Sequence, residues 1–153
     1  MEGLQQEAWA LLRAARFGVL STLSVRVAGY PFGSVMPFAL EESSGGLIVL
    51  MSGLAEHTKN ALTDPRASLL VLEDGKPDAD PQEAARLTVV GNLERAAATA
   101  VDHARAVYLA RHPQAQRNLE LADFSFWMLR PLHARFIAGF GRMGWLDAAT
   151  LLP

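Results

Sequence analysis

The sequence predicts a mainly β fold, an antiparallel β-barrel with attached helices. Three observations carry this. Strand-like segments outnumber helical ones, and most of them follow one another across short turns. The order (helix, strands, short helix, strands, helix, strands) also lacks the alternation that builds a parallel βαβ sheet.

Each element has its own local reason. Leu4, Ala8, Leu11, Leu12 and Ala15 recur at helical spacing among polar residues, which predicts an amphipathic helix over 3–15. Phe17 to Leu23 is short, apolar and β-rich, and reads as a buried strand. Gly29, Pro31 and Gly33 make Arg26 to Gly33 a turn. Ser34 to Leu40 reads as a second strand. Pro37 within it lacks an N–H donor, which favours an edge or bulged position. A polar loop, Glu41 to Gly46, leads to a third strand, Leu47 to Ser52. Glu56 to Asp64 is a short helix stopped by Pro65, and Ala67 to Leu72 a fourth strand. The acidic, Gly- and Pro-containing stretch Glu73 to Glu83 is a loop before a fifth strand, Arg86 to Leu93. Ala96 to Arg111 is Ala-rich and helical, ending before Pro113. Phe124 to Leu129 and His133 to Ala138 read as a last strand pair turned at Arg130 to Leu132, with Gly139 to Pro153 as tail. Without a repeat or linker, the expectation is one domain over residues 1–153.

Composition narrows the function classes. Half of the 153 residues are hydrophobic and 20% charged, the balance of a globular chain. A net charge of −2, from 14 basic and 16 acidic residues, gives no broad attraction to nucleic acid. With no cysteine there is no disulfide, thiolate metal site or cysteine nucleophile. The start carries Glu2, Glu7, Arg13 and Arg16 and lacks the apolar core of a signal peptide. No run approaches the roughly 18 apolar residues of a membrane span. A cytoplasmic protein without membrane or nucleic-acid partners is expected.

Several motifs fail on context. Gly139, Gly141 and Gly144 spell G-x-G-x-x-G, but only nine residues follow, too few for the helix, strand and acidic residue that a dinucleotide site requires. A flexible Gly-rich turn, or close approach of backbone to a ligand or partner, stays open there. His57, His103, His112 and His133 form no metal-ligand spacing. Neither a P-loop nor a nucleophile elbow occurs.

One constellation survives. Between Met51 and Asn60 a strand end, a Gly turn and a helix start place Ser52, His57, Thr58 and Lys59 around a helix N-terminus. Free N–H groups and the positive dipole end suit an anion such as phosphate, and Lys59 adds a full charge. An ordinary capped surface helix explains the same residues.

In order and spacing, Phe17–Leu23, Tyr30–Phe38, Leu50–Asn60 with its His-Thr-Lys-Asn, Asp64–Val71, Ala85–Gly91, Phe124–Pro131 and Arg135–Gly141 resemble the pyridoxamine-5′-phosphate-oxidase-like, FMN-binding split β-barrels, in the branch related to haem-utilisation proteins. The resemblance implies a homodimer with FMN at the interface. Ser34, Val35, Met36 and Pro37 would line the flavin ring through their backbone. Ser52, His57, Thr58, Lys59 and Asn60 would hold the phosphate and ribityl chain. The Gly139–Trp145 segment, with Phe140 and Trp145, would reach the flavin from the partner chain. An FMN-dependent oxidoreductase with an unknown small-molecule substrate follows as the expected function. The alternatives are a deazaflavin (F420) in place of FMN, or a haem-binding protein without flavin turnover in which His57, His112 or His133 could face haem. A barrel that keeps only its dimer and no cofactor is the third.

Overall fold

The computed structural model describes residues 2–75, 77–121, 123–139 and 141–151. Helix α1 (Glu2–Ala14) precedes β1 (Phe17–Leu23), β2 (Pro31–Pro37), β3 (Ala39–Glu41) and β4 (Gly46–Ser52). Then come α2 (Glu56–Thr63), β5 (Arg66–Leu72), β6 (Arg86–Arg95), α3 (Val101–Arg111), the short α4 (Gln116–Leu119), β7 (Phe124–Gly139), β8 (Arg142–Asp147) and α5 (Ala148–Leu151). The strands form one antiparallel sheet in the order β2-β1-β5-β6-β7-β4-β3, with β8 on β7. Among the described residues no helix is long and apolar enough to cross a membrane.

The sheet is curled because its two edges are consecutive in the chain. Residues 34–40, expected as one strand, are split at Phe38 between β2 on one edge and β3 on the other. Pro37, without an N–H to pair, ends the edge strand β2 as its chemistry requires. Phe38 is fully buried and both its peptide groups are engaged. Its N–H donates to the Arg16 carbonyl at 3.2 Å, and its carbonyl accepts from His112 Nε2 at 2.7 Å. That contact fixes the Nε2-protonated form of a buried imidazole, because a carbonyl only accepts.

Strand β4 shows why its apolar run is unbroken. Leu47, Val49 and Met51 face the barrel interior with Leu20, Phe38 and Phe136, under the face of α1 that carries Ala8 and Leu12. Ile48 and Leu50 face the other way, onto Ala104 and Tyr108 of α3. A strand buried on both faces has no polar side to alternate with. The Tyr108 ring lies 4.8 Å from His112 and 5.6 Å from Phe126, and burial pushes its phenol up to about 12.

Two further expectations are corrected. The segment read as a strand pair turned at Arg130–Leu132 is a single 16-residue strand, β7. Pro131 makes a bulge instead of a turn: Gly91 pairs with Pro131 and Val90 with His133, so Leu132 is an extra residue. The missing N–H of Pro131 is tolerated there. The facing glycine leaves room, since a Cβ on Gly91 would sit 2.0 Å from the Arg130 carbonyl oxygen. Before the bulge β7 pairs with β4 and beyond it with β8. The tail is likewise not irregular. Gly139 and Gly141, both at positive φ, turn the chain into β8, so the three glycines belong to a hairpin.

The β3–β4 turn closes on Glu41, whose buried carboxylate accepts from the N–H and hydroxyl groups of Ser43 and Ser44 and from His103 Nε2 at 3.4 Å. Burial alone would raise its pKa, but these hydrogen bonds outweigh it and hold the group at about 2.

Two outcomes are expected. Replacing His112 with Ala strands the Phe38 carbonyl, and urea unfolding should show a loss of about 1–3 kcal/mol. Glu41 is more acidic folded than its ordinary 4.5, so its contribution is complete above that pH and is lost as pH falls toward about 2. Glu41→Gln should therefore unfold more readily than the wild type at pH 7, with the gap in melting temperature closing below pH 3.

Candidate functional site

The β4–α2 junction holds the segment singled out from the sequence, and its donors are accounted for one by one. Ser52 Oγ donates to the Asp123 carboxylate at 2.5 Å and accepts from Leu54 N–H at 3.1 Å. Gly53 N–H donates to the Asp123 main-chain oxygen at 2.7 Å, and Ala55 N–H to the Ser52 carbonyl at 3.2 Å. The helix starts at Ala55 with no side-chain cap and with Glu56 in its first turn. Thr58 is buried and its hydroxyl has no partner among the described residues. Asn60 is buried beneath α2. Its Nδ2 donates to Thr22 Oγ1 at 3.0 Å and its Oδ1 accepts from Val25 N–H at 2.9 Å, tying α2 to the end of β1. Lys59 points outward and is exposed. His57 is half-buried, and desolvation pushes its pKa down. The segment thus divides: Thr58 and Asn60 face inward, Lys59 faces solvent, and Ser52 is held by Asp123.

The second feature is the outer face of the sheet, across β2, β1, β5, β6, β7 and β8. Cross-strand partners line up there as Gly33, Ser21, Ser68, Val90, His133 and Asp147. The neighbouring row is Val35, Val19, Leu70, Thr88, Arg135 and Trp145. The residues between them, such as Leu20, Leu69, Val89 and Ala134, are buried in the core. The first row begins with small residues, and a hollow of 430 Å³ opens over them, lined by Ser21, Ser68, Val90, Pro31, Leu132 and Arg66 among others. His133 is exposed beside Leu132 at its β7 end. Opposite it, the Asp147 carboxyl is held below its ordinary value by Thr150, with His133 adding to the effect. The Arg135 guanidinium lies 5.8 Å from the centre of the Trp145 ring. Arg66 is tied to Asp64, whose carboxyl it holds down to about 2, and Arg130 is tied to Glu94.

The expected flavin-lining residues fall along β2. Val35 and Pro37 are exposed on the sheet edge, Ser34 is half-buried, and the Met36 side chain enters the core. Trp145 shares a row with Val35 but stands five strands away, about 24 Å along the sheet at the usual strand spacing. One chain does not bring these two together. Phe140 lies outside the described residues. Sequence reading named His133 without preferring it and passed over Ser21, Ser68, Arg135 and Asp123. Small polar residues at alternate positions of three strands were the available signal for the first two, but only the register shows that they adjoin.

Known proteins agree with the fold. The chain is 34% identical over 134 residues to the chloroplastic heme oxygenase HOZ of Arabidopsis thaliana, covering 88% of this chain and 40% of that protein. It is 30% identical to the heme-binding protein from Mycobacterium smegmatis, with a TM-score of 0.88 over 97% of this chain and 60% of that one. It therefore spans less than two thirds of either. HutZ, the heme storage protein from Vibrio cholerae, shares the fold at 22% identity, with a TM-score of 0.71 and 94% of each chain covered. The family pattern described as "CREG, beta-barrel" matches residues 5–151, so this antiparallel curled barrel with its attached helices belongs to the CREG β-barrel family.

Proposed function

We propose that this chain is a haem-binding protein that takes the tetrapyrrole on the outer face of its sheet, with a second copy of the chain closing over it. The observation that carries this is the floor of small residues, Gly33, Ser21 and Ser68, running into an exposed histidine at the same register. A flat apolar ring needs a surface without protruding side chains, and this row provides one.

The donor set fits the group. His133 and Arg135 are two apart on one strand, so both face outward, about 7 Å apart. The imidazole offers a nitrogen to iron. Asp147, its cross-strand partner, sets a negative charge beside the ring. Arg135, free of any ion pair among the described residues, offers a cation to a propionate. Val90, Leu132 and Pro31 supply apolar walls. Bound haem would supply an iron centre able to engage oxygen, while the chain positions it and excludes water. The similarity to a heme oxygenase and to a heme-binding protein supports the same reading.

A second copy is proposed because the face remains open. Val35 is 71% exposed, Trp145 61% and Phe17 57%, an apolar set that a lone chain leaves in water. Flavin at this interface is the second reading. Its support is the Thr58 hydroxyl, buried near the α2 N-terminus without a partner among the described residues. It has less support than haem, because the Ser52 hydroxyl is already given to Asp123.

Titration of the purified protein with hemin is expected to give a Soret band saturating at one haem per chain. His133→Ala should weaken binding at least tenfold and shift the band. Unchanged affinity and spectrum in this variant would refute the site. A flavin doublet in the purified protein, with no response to hemin, would favour the second reading. Sedimentation should give twice the 16.6 kDa chain mass.

A further inference from the structure

We infer that Asp123 is a specificity-determining residue, whose carboxylate closes the β4–α2 junction to phosphate. The junction has the form of an anion cradle: a strand end, a glycine, and an eight-residue helix with Thr58 buried in its first turns and unpaired among the described residues. Four of its donors, however, are spent inside the chain. Gly53 N–H and the Ser52 hydroxyl both go to Asp123, one to its peptide oxygen and one to its side chain. Leu54 N–H goes to Ser52 Oγ, so the two donors form a relay ending on the carboxylate. Ala55 N–H is taken by the Ser52 carbonyl. A phosphate arriving here meets the Asp123 charge, and Glu56 adds a second carboxylate on the first turn. Like charges at close range oppose binding: the exposed Lys59 offsets one of the two, and the dipole end of a short helix still faces the carboxylate that holds its neighbouring donors.

This stands apart from the haem reading. It concerns which ligands the chain refuses, at a place away from the His133 row. A single residue from the approach to β7, 71 positions along the chain from Ser52, takes the Ser52 hydroxyl and the Gly53 N–H of this junction.

The test compares FMN with riboflavin, which differ by the phosphate alone, by fluorescence titration of the full chain. Wild type is expected to hold the two within about twofold of each other, or to bind neither. Asp123→Asn removes the charge and keeps an acceptor for Ser52. Asp123→Ala also frees the Ser52 hydroxyl. Both should raise FMN affinity about tenfold or more, Ala at least as much as Asn, with riboflavin unchanged. Adding Ser52→Ala to Asp123→Ala should remove part of that gain. The inference is overturned if wild type already prefers FMN tenfold over riboflavin, if neither variant gains FMN, or if both ligands gain equally. Circular dichroism identifies a variant that fails to fold, and the isosteric Asn variant then carries the result. Hemin titration of the same samples should be unaffected by Asp123→Asn. Failure of wild type to bind hemin would count against the haem site and leave this inference standing.

Discussion

The structure turns on a single peptide unit. Phe38 is the one residue between β2 and β3, which lie at opposite edges of the sheet. A chain that passes from one edge to the other in one step forces those edges together, and the sheet must curl to allow it. The crossover buries a carbonyl and an N–H that no strand partner can serve, and such groups are costly when left unpaired. His112 and the Arg16 carbonyl serve them. The position of α3 follows from this, since His112 caps that helix and His103 on the same helix reaches Glu41 just beyond the crossover. The barrel interior, the outer face and the β4–α2 junction are all placed by the closure that Phe38 imposes.

Much of this was legible in the sequence where the cause is local. The helix over the first residues, β1, β4, α2, β5 and β6 declare themselves through spacing, apolar runs, and glycine or proline at their ends. Pro37 correctly signalled an edge. What was not legible depends on partners distant in sequence. The split at Phe38 needs knowledge of the opposite edge. Pro131 reads as a turn until Gly91 is seen facing it. The Gly139–Gly144 stretch reads as tail until β7 provides a strand for it to pair with.

The candidate site divides in the same way. The strand-turn-helix over residues 51–60 was visible as a local pattern. The fate of its donors was not, because Asp123 arrives from far along the chain. The outer face was invisible as a unit. Its rows draw one residue from each of six strands, and the register that aligns Ser21, Ser68 and His133 is a property of the folded sheet. A phosphate grip is a local device and leaves a local trace, whereas a flat receptor for a ring is assembled across strands.

The extra residue in β7 has a consequence for how such a surface arises. Ahead of the bulge, odd-numbered residues such as Trp127 and Leu129 face the core; past it, the even-numbered Ala134 and Phe136 do. The bulge therefore inverts the phase of the strand. Were Leu132 drawn into the ladder instead of bulged out of it, the same His-Ala-Arg triplet would direct its imidazole and guanidinium into the barrel and turn a phenylalanine outward. The chemistry presented here is thus encoded by strand pairing as well as by residue identity. A relative carrying the same triplet displays it where the extra residue is bulged out or absent and hides it where that residue joins the ladder, so the pairing at this one point acts as an on–off setting for the whole face.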